Sequence, residues 1–254
     1  MRVVAPNAAL RSAPSHSASL GTEAIYGEPV KVFETNADGW SWTQLKNDRY
    51  VGWMRREALA EMGAAPTHKV AAIRTLVFEK PDIKSTPIEA LPLGAQVTVV
   101  GAAEDKNAHY ALIAPKGAIV VQHLAPVGSF ESDWTAVAER FLGVPYLWGG
   151  KTSLGIDCSG LLQTALRACG IDAPRDTGMQ EIALGVPLPH TGEMPPLLRG
   201  DLIFWPGHVG IMRDGASLIH ANAHHMAVVI EPLSEAIRRI AARGHAVTGV
   251  RRIG

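Results

Sequence analysis

Gly155-Ile156-Asp157-Cys158-Ser159-Gly160 is followed by Leu161, Leu162, Ala165, Leu166 and Cys169, apolar positions that recur at the spacing of one helix face. Gly170 then supplies a C-terminal stop. The stretch reads as a buried helix whose first residue is a cysteine. A helix N-terminus carries roughly half a positive charge, which favours thiolate over thiol. Thiolate is the nucleophilic form, so Cys158 stands where a catalytic cysteine gains most. A buried small hydrophobe is the competing reading of any cysteine. It suits Cys169, which lies about three turns further along the apolar stripe and is expected in the core.

Upstream of this helix, Asp133 is a candidate N-cap for a helix running to Phe141. A turn rich in Gly and Pro follows, Gly143-Val144-Pro145-Tyr146-Leu147-Trp148-Gly149-Gly150. After the cysteine helix, Asp201-Leu202-Ile203-Phe204-Trp205 and Val209-Gly210-Ile211-Met212 read as strands. Asp214-Gly215 marks a hairpin before Leu218-Ile219-His220, and Val247 to Ile253 reads as a closing strand. Helices first and an antiparallel sheet after predict an α+β domain over residues 130–254.

A thiolate needs a base to take its proton and an acid to return one to the leaving amine. Among ten histidines, His208 stands out because it follows Pro206-Gly207 at the mouth of an apolar strand. His220 ends the next strand, across the Asp214-Gly215 turn. Antiparallel pairing would bring the two together, and His220 could then orient the imidazole of His208 as the third member of a triad. A zinc site built from Cys158, His208 and His220, with His224 and His225 nearby, is the rival reading. His220 and His224 do have HxxxH spacing, but that spacing serves zinc on a helix, and this region reads as strand and turn. No metal or other cofactor is expected.

The first 127 residues carry a different pattern. Val30, Val32 and Phe33 follow the turn Tyr26-Gly27-Glu28. Asp38-Gly39 precedes Trp40-Ser41-Trp42, and Lys46-Asn47-Asp48 precedes Tyr50-Val51-Gly52-Trp53. Short β-rich runs between turns predict a small barrel over residues 1–62, closed by Glu57-Ala58-Leu59. Residues 66–127 repeat the plan: Tyr26-Gly27-Glu28-Pro29-Val30 has a counterpart in Leu93-Gly94-Ala95-Gln96-Val97. A second barrel is expected there.

Composition narrows the function classes. The 254 residues are 47% hydrophobic and 19% charged, with a formal net charge of zero. That argues against an electrostatic grip on nucleic acid or an anionic membrane. No run approaches the ~20 apolar residues of a membrane span. The first twenty residues lack the apolar core of a secretory signal, which predicts a cytoplasmic protein. Cys158 and Cys169, on one helix, would stand ~16 Å apart, too far for a disulfide.

In combination, Pro145 to Gly150, Asp157-Cys158-Ser159-Gly160, Arg175-Asp176-Thr177, Arg199-Gly200-Asp201-Leu202-Ile203-Phe204, Gly207-His208-Val209-Gly210-Ile211 and Ile219-His220-Ala221 resemble the ordered motifs of NlpC-type cysteine peptidases, which have a papain-like core. The preceding residues resemble two bacterial Src-homology-type barrels. The whole is similar to the murein peptide recycling enzymes of that family, which cut between D-γ-glutamate and the diamino acid of stem peptides with a free N-terminal L-alanine. The resemblance implies Cys158 as nucleophile, His208 as base and His220 as its orienting partner. It implies Tyr146 beside the nucleophile, assisting the oxyanion. Asp157, Ser159 and Asp176 would receive the free amine, joined by Tyr50 and, more weakly, Glu28 from the first barrel. Bland roles compete for several of these: a helix cap for Asp157, a turn residue for Asp176, aromatic core for Tyr50. Trp40, Trp42 and Trp148 are expected to pack, and Arg238-Arg239 and Arg251-Arg252 to be solvated faces. Rival functions are a thiol amidase or acyltransferase on another amide, and an inactive module that binds wall peptide.

Overall fold

The structure is a computed structural model that describes residues 1–189 and 194–254. It divides into two compact units, Met1–Ser129 and Phe130–Gly254.

The first unit is built of β-strands. Its first half holds β1 (Arg2–Val3), β2 (Asn7–Arg11), β3 (Leu20–Ile25), β4 (Val30–Thr35), β5 (Trp40–Leu45), β6 (Val51–Arg55) and β7 (Leu59–Ala60). β2 to β6 form an antiparallel sheet in the order β3-β2-β6-β5-β4, and β1 pairs with β7. Alternation puts Leu10, Val30, Leu45 and Met54 into one core with Val3 and Leu59. The second half holds β8 (His68–Val70), β9 (Arg74–Phe78), β10 (Pro87–Pro92), β11 (Gln96–Glu104), β12 (His109–Ala114), β13 (Ala118–Val120) and β14 (Leu124–Pro126), ordered β10-β9-β13-β12-β11-β8-β14. Val77, Leu91, Val97, Ile113 and Ile119 fill its core, and Tyr26 of the first half joins them. The repeat seen in the sequence has a backbone counterpart. Gly27 and Gly94 both adopt φ of +85° in the turn before a strand, a conformation that favours glycine. The 3-10 turns Arg56–Ala58 and Val121–His123 close the two halves in the same way. The halves are joined by the Gln96 N–H, which donates to the Tyr26 carbonyl at 2.9 Å.

The second unit opens with α1 (Trp134–Glu139). The Asp133 side chain caps it by accepting from the Thr135 and Ala136 N–H groups. A short hairpin of β15 (Lys151–Thr152) and β16 (Gly155–Ile156) leads into α2 (Cys158–Ala168), and Gly170 ends α2 at φ +79°. Next come α3 (Thr177–Ala183), β17 (Val186–Pro187), β18 (Leu202–Trp205), β19 (His208–Met212), β20 (Ser217–Asn222), β21 (Ala227–Pro232), α4 (Leu233–Ala241) and β22 (Gly249–Arg252). The antiparallel sheet runs β17-β22-β18-β19-β20-β21. α2 packs on β19 and β20. Leu233 and Ala236 of α4 join Ile203, Trp205, Met212, Leu218 and Val250 in another core cluster. Helices against both faces explain why β18 is buried at all four residues and reads as an unbroken apolar run. The α+β architecture expected from the sequence is the one observed.

Three side-chain expectations need correction. Cys169 is only partly buried, because it is the C-cap residue of α2 rather than part of its interior. Trp148 is 66% exposed and does not pack in the core. Arg239 and Arg252 are not free solvated charges: Arg239 pairs with Glu231, and Arg252 pairs with buried Asp201 at 2.6 Å. Among the described residues no helix is long and apolar enough to cross a membrane.

Candidate active site

Local chemistry aims each of the central side chains. The Asp157 carboxylate caps α2, accepting from the Gly160 N–H at 2.7 Å, so that Cys158 becomes the first residue of the helix. Gly160 admits no side chain, because a Cβ there would lie 2.3 Å from the Gly150 carbonyl oxygen. The turn Pro206-Gly207, with Gly207 at φ +71°, joins β18 to β19 and places His208 at the first position of its strand. The Gly207 carbonyl lies 3.9 Å from Cys158 Sγ, and the Val209 N–H bonds to that sulfur. Both chain neighbours of His208 thus touch the thiol.

His208 Nε2 lies 2.8 Å from His220 Nδ1. The register explains the meeting. Ile211 pairs with Ile219 across β19 and β20, and one step further puts His220 opposite Gly210. His208 is then its diagonal neighbour on the same face. Gly210 keeps that space clear, since an added Cβ would sit 2.4 Å from Leu218 Cδ1. With Nε2 engaged, Nδ1 is the nitrogen of His208 available to the thiol. The Trp205 ring stands 5.6 Å from the His208 ring and walls it on one side. The two imidazoles are spent on each other at hydrogen-bond distance, which speaks against a metal shared between those nitrogens.

Behind His220 lies a network the sequence did not disclose. His220 is 1% exposed, and its Nε2 is 2.7 Å from Glu231 Oε1 and 2.9 Å from Asn222 Nδ2. Glu231 in turn pairs with Arg239 of α4. A lone acid closing the apolar run Ala227 to Ile230 was the signal that could have found Glu231.

A second network lies beneath the cysteine. Arg175, buried, donates to Asp157 Oδ2 at 2.7 Å and to Ser159 Oγ at 2.6 Å. The Gly149 N–H adds a third donor to Asp157, at 2.8 Å. Gln180 Nε2 donates to the Ser159 carbonyl, which ties α3 to α2. That contact holds Thr177, whose hydroxyl bonds to the Cys158 sulfur. Asp157 and Ser159 are therefore already engaged with protein donors. Asp176 differs. It is exposed at the head of α3, and its side chain makes no capping hydrogen bond.

Electrostatics act against one expectation. Burial, reinforced by the Asp157 charge, pushes the Cys158 thiol up to about 11, although N–H groups of Val209 and Ser159 and the Thr177 hydroxyl oppose this. A helix end is worth about 2 kcal/mol at most, roughly one and a half pKa units. Full burial shifts a group by up to about 3–5 units, so burial wins. His208 is pushed down to about 3, first by burial and then by the positive charges of His220 and Arg239, with Glu231 opposing. Both shifts favour the uncharged forms, thiol and neutral imidazole, at rest. Tyr146, half-buried, is raised to about 12 by burial and by the negative charge on Cys158 and Asp157, so its hydroxyl remains a hydrogen-bond donor.

Tyr50 and Glu28 belong to the first unit. Glu28 is buried; its Oε2 accepts from the Ile25 N–H at 3.0 Å and its Oε1 from Asn47 Nδ2 at 3.2 Å, locking the turn before β4. Tyr50 packs against the first core, with its hydroxyl over Gly21, where a Cβ would come within 2.8 Å of it.

Residues 143–244 match the NlpC/P60 family, and residues 10–59 match the bacterial dipeptidyl-peptidase Sh3 domain. The chain is 28% identical over 255 residues to Dipeptidyl-peptidase 6 of Lysinibacillus sphaericus, covering 92% of this chain and 91% of that protein. It is also 28% identical over 248 residues to the Gamma-D-glutamyl-L-lysine dipeptidyl-peptidase of Bacillus subtilis, covering 86% and 77%. A solved NlpC/P60 family protein from Bacillus cereus has a TM-score of 0.79 at 21% identity, covering 99% and 98%. At that identity the likeness speaks for the fold.

Proposed function

The second unit is a cysteine peptidase domain of the NlpC/P60 family, and from that premise we propose that the chain hydrolyses the γ-D-glutamyl–diamino acid bond of murein stem peptides bearing a free N-terminal L-alanine. Cys158 is the nucleophile and His208 the base. As the sulfur attacks the γ-glutamyl carbonyl, its proton passes to His208 Nδ1. The tetrahedral oxyanion gains a donor in the Tyr146 hydroxyl. The carbon–nitrogen bond then breaks, and His208 gives the proton to the departing amine of the diamino acid. Water, deprotonated by His208, cleaves the thioester and releases L-Ala-D-Glu.

The observation that carries this reading is the Cys158 thiol bracketed by both neighbours of His208, with the second ring nitrogen of His208 held by His220. The substrate reading is supported by the likeness to the Bacillus subtilis relative named Gamma-D-glutamyl-L-lysine dipeptidyl-peptidase and by chemistry. A dipeptidyl cut needs the substrate ammonium recognised by acceptors at a fixed distance from the nucleophile. Asp176, between Arg175 of the network and Thr177, offers a carboxylate outside that network. Asp157 and Ser159 join it through the Arg175 network. A cytoplasmic location belongs to the same proposal.

Mass spectrometry of L-Ala-γ-D-Glu-diaminopimelate and its lysine counterpart, each with free and acetylated amine, tests the reading. Wild type is expected to release L-Ala-D-Glu only from free-amine peptides, and Cys158→Ala from none. Cleavage of acetylated peptides at the same rate would remove the amine pocket while leaving the peptidase. No cleavage of any peptide would remove the substrate assignment and leave an amidase or acyltransferase on another amide.

A further inference from the structure

We propose that Glu231 is a positioning residue for the catalytic imidazole: held by Arg239, it accepts from His220 Nε2 and thereby sets which nitrogen of His208 is bare toward Cys158. The proposal rests on the reading of Cys158 and His208 as nucleophile and base.

A carboxylate only accepts, so the 2.7 Å contact to Glu231 Oε1 puts the His220 proton on Nε2. His220 Nδ1 then has only a lone pair, and the 2.8 Å contact makes His208 Nε2–H its donor. His208 Nδ1 is left unprotonated, the form that can take a proton from the thiol. Each assignment forces the next.

Asn222 competes for the same nitrogen. Its Oδ1 accepts from the His225 N–H at 2.9 Å, which turns its NH2 toward His220 Nε2 at 2.9 Å. Acting alone, that donor would make Nε2 an acceptor and move the His220 proton to Nδ1. His208 Nε2 would then have to accept, and an N–H would face the thiol. The ionised carboxylate prevails because charge-assisted bonds are shorter and stronger. Burial raises the Glu231 carboxyl, but the hydrogen bond to His220 and the charges of His220 and Arg239 more than offset this and hold it below its ordinary value. The groups facing this pair are His208 on β19, Asn222 on β20, His225 in the following turn and Arg239 on α4.

The test uses the full chain with four substitution sets: Cys158→Ala, Glu231→Gln, Glu231→Gln with Asn222→Asp, and Arg239→Gln. Partners that orient a functional imidazole are typically worth about 10–100-fold. Glu231→Gln is expected to lower kcat by about that factor with KM changed less than about twofold. Asn222→Asp in the same background returns an acceptor to Nε2 and is expected to recover most of the loss. The acid limb of kcat/KM should move down in pH in Glu231→Gln, which loses a negative charge, and up in Arg239→Gln, which loses a positive one. Wild-type kcat in Glu231→Gln, a double variant as slow as the single one, or acid limbs moving the same way would each overturn the proposal. If Glu231→Gln does not fold, an unmoved acid limb in Arg239→Gln overturns it alone. Hydrolysis by Cys158→Ala would instead overturn the underlying reading.

Discussion

Arg175 and Asp157 form an ion pair at 2.7 Å with both side chains at 8% exposure or less. The pair joins the loop before α3 to the cap of the cysteine helix, so it connects the backbone that carries Thr177 to the backbone that carries Cys158. Removing one member of such a pair strands the other charge away from water. Arg175→Met is expected to destabilise the second unit by about 3–5 kcal/mol in denaturant titration. A loss below about 1 kcal/mol would mean that the Asp157 charge is satisfied without the arginine.

The neutral resting pair predicts slow alkylation of Cys158 at pH 7. With the thiol pushed up to about 11 from its ordinary 9, the iodoacetamide rate should climb through pH 9 and keep rising toward 11. A plateau reached below pH 7 would show a preformed thiolate–imidazolium pair instead.

His208 makes folding sensitive to acid. Its folded value of about 3 lies below the ordinary 6.5, so between those pH values the unfolded chain binds the proton and the folded one does not. Stability from this group is complete above pH 6.5 and is lost as pH falls toward 3. His220, lowered chiefly by burial, acts in the same direction. The melting temperature of wild type should therefore fall more steeply below pH 6.5 than that of His208→Gln. Parallel curves would remove His208 as the cause.

Asp176→Asn should raise KM for free-amine peptide by roughly tenfold, corresponding to about 1.4 kcal/mol of a charge-assisted bond, while kcat stays near wild type. The acetylated peptide serves as control, since it carries no charge for Asp176 to meet. An unchanged KM would assign the amine to other acceptors.

Several features were legible because their causes are local. The Asp133 and Asp157 caps, the Gly170 stop, the Pro206-Gly207 turn and the apolar face of α2 depend on residues within a few positions of one another. The meeting of His208 and His220 was readable too, because a short hairpin fixes the register between neighbouring strands.

Glu231 and Arg239 were not readable in the same way. Arg239 sits in Arg238-Arg239 on an amphipathic helix, where a charge ordinarily faces water, and only the docking of α4 beside β21 turns it to Glu231. Arg175 stood within a recognised motif, yet its role required the fold to bring it to Asp157, eighteen residues earlier.

From the residues alone came the α+β class, the short strands of the first unit, the head of the cysteine helix and the pairing of two histidines. Each follows from periodicity, turns and caps, which act over short separations. The direction in which each protonation equilibrium is pushed depended on the fold. The sequence places Cys158 at a positive helix end with the Asp157 charge beside it, but the burial of the thiol, and the burial of His208 with the approach of Arg239 and Glu231, come from the fold. Those terms depend on how distant segments exclude water from one another, and near the thiol they outweigh the helix end.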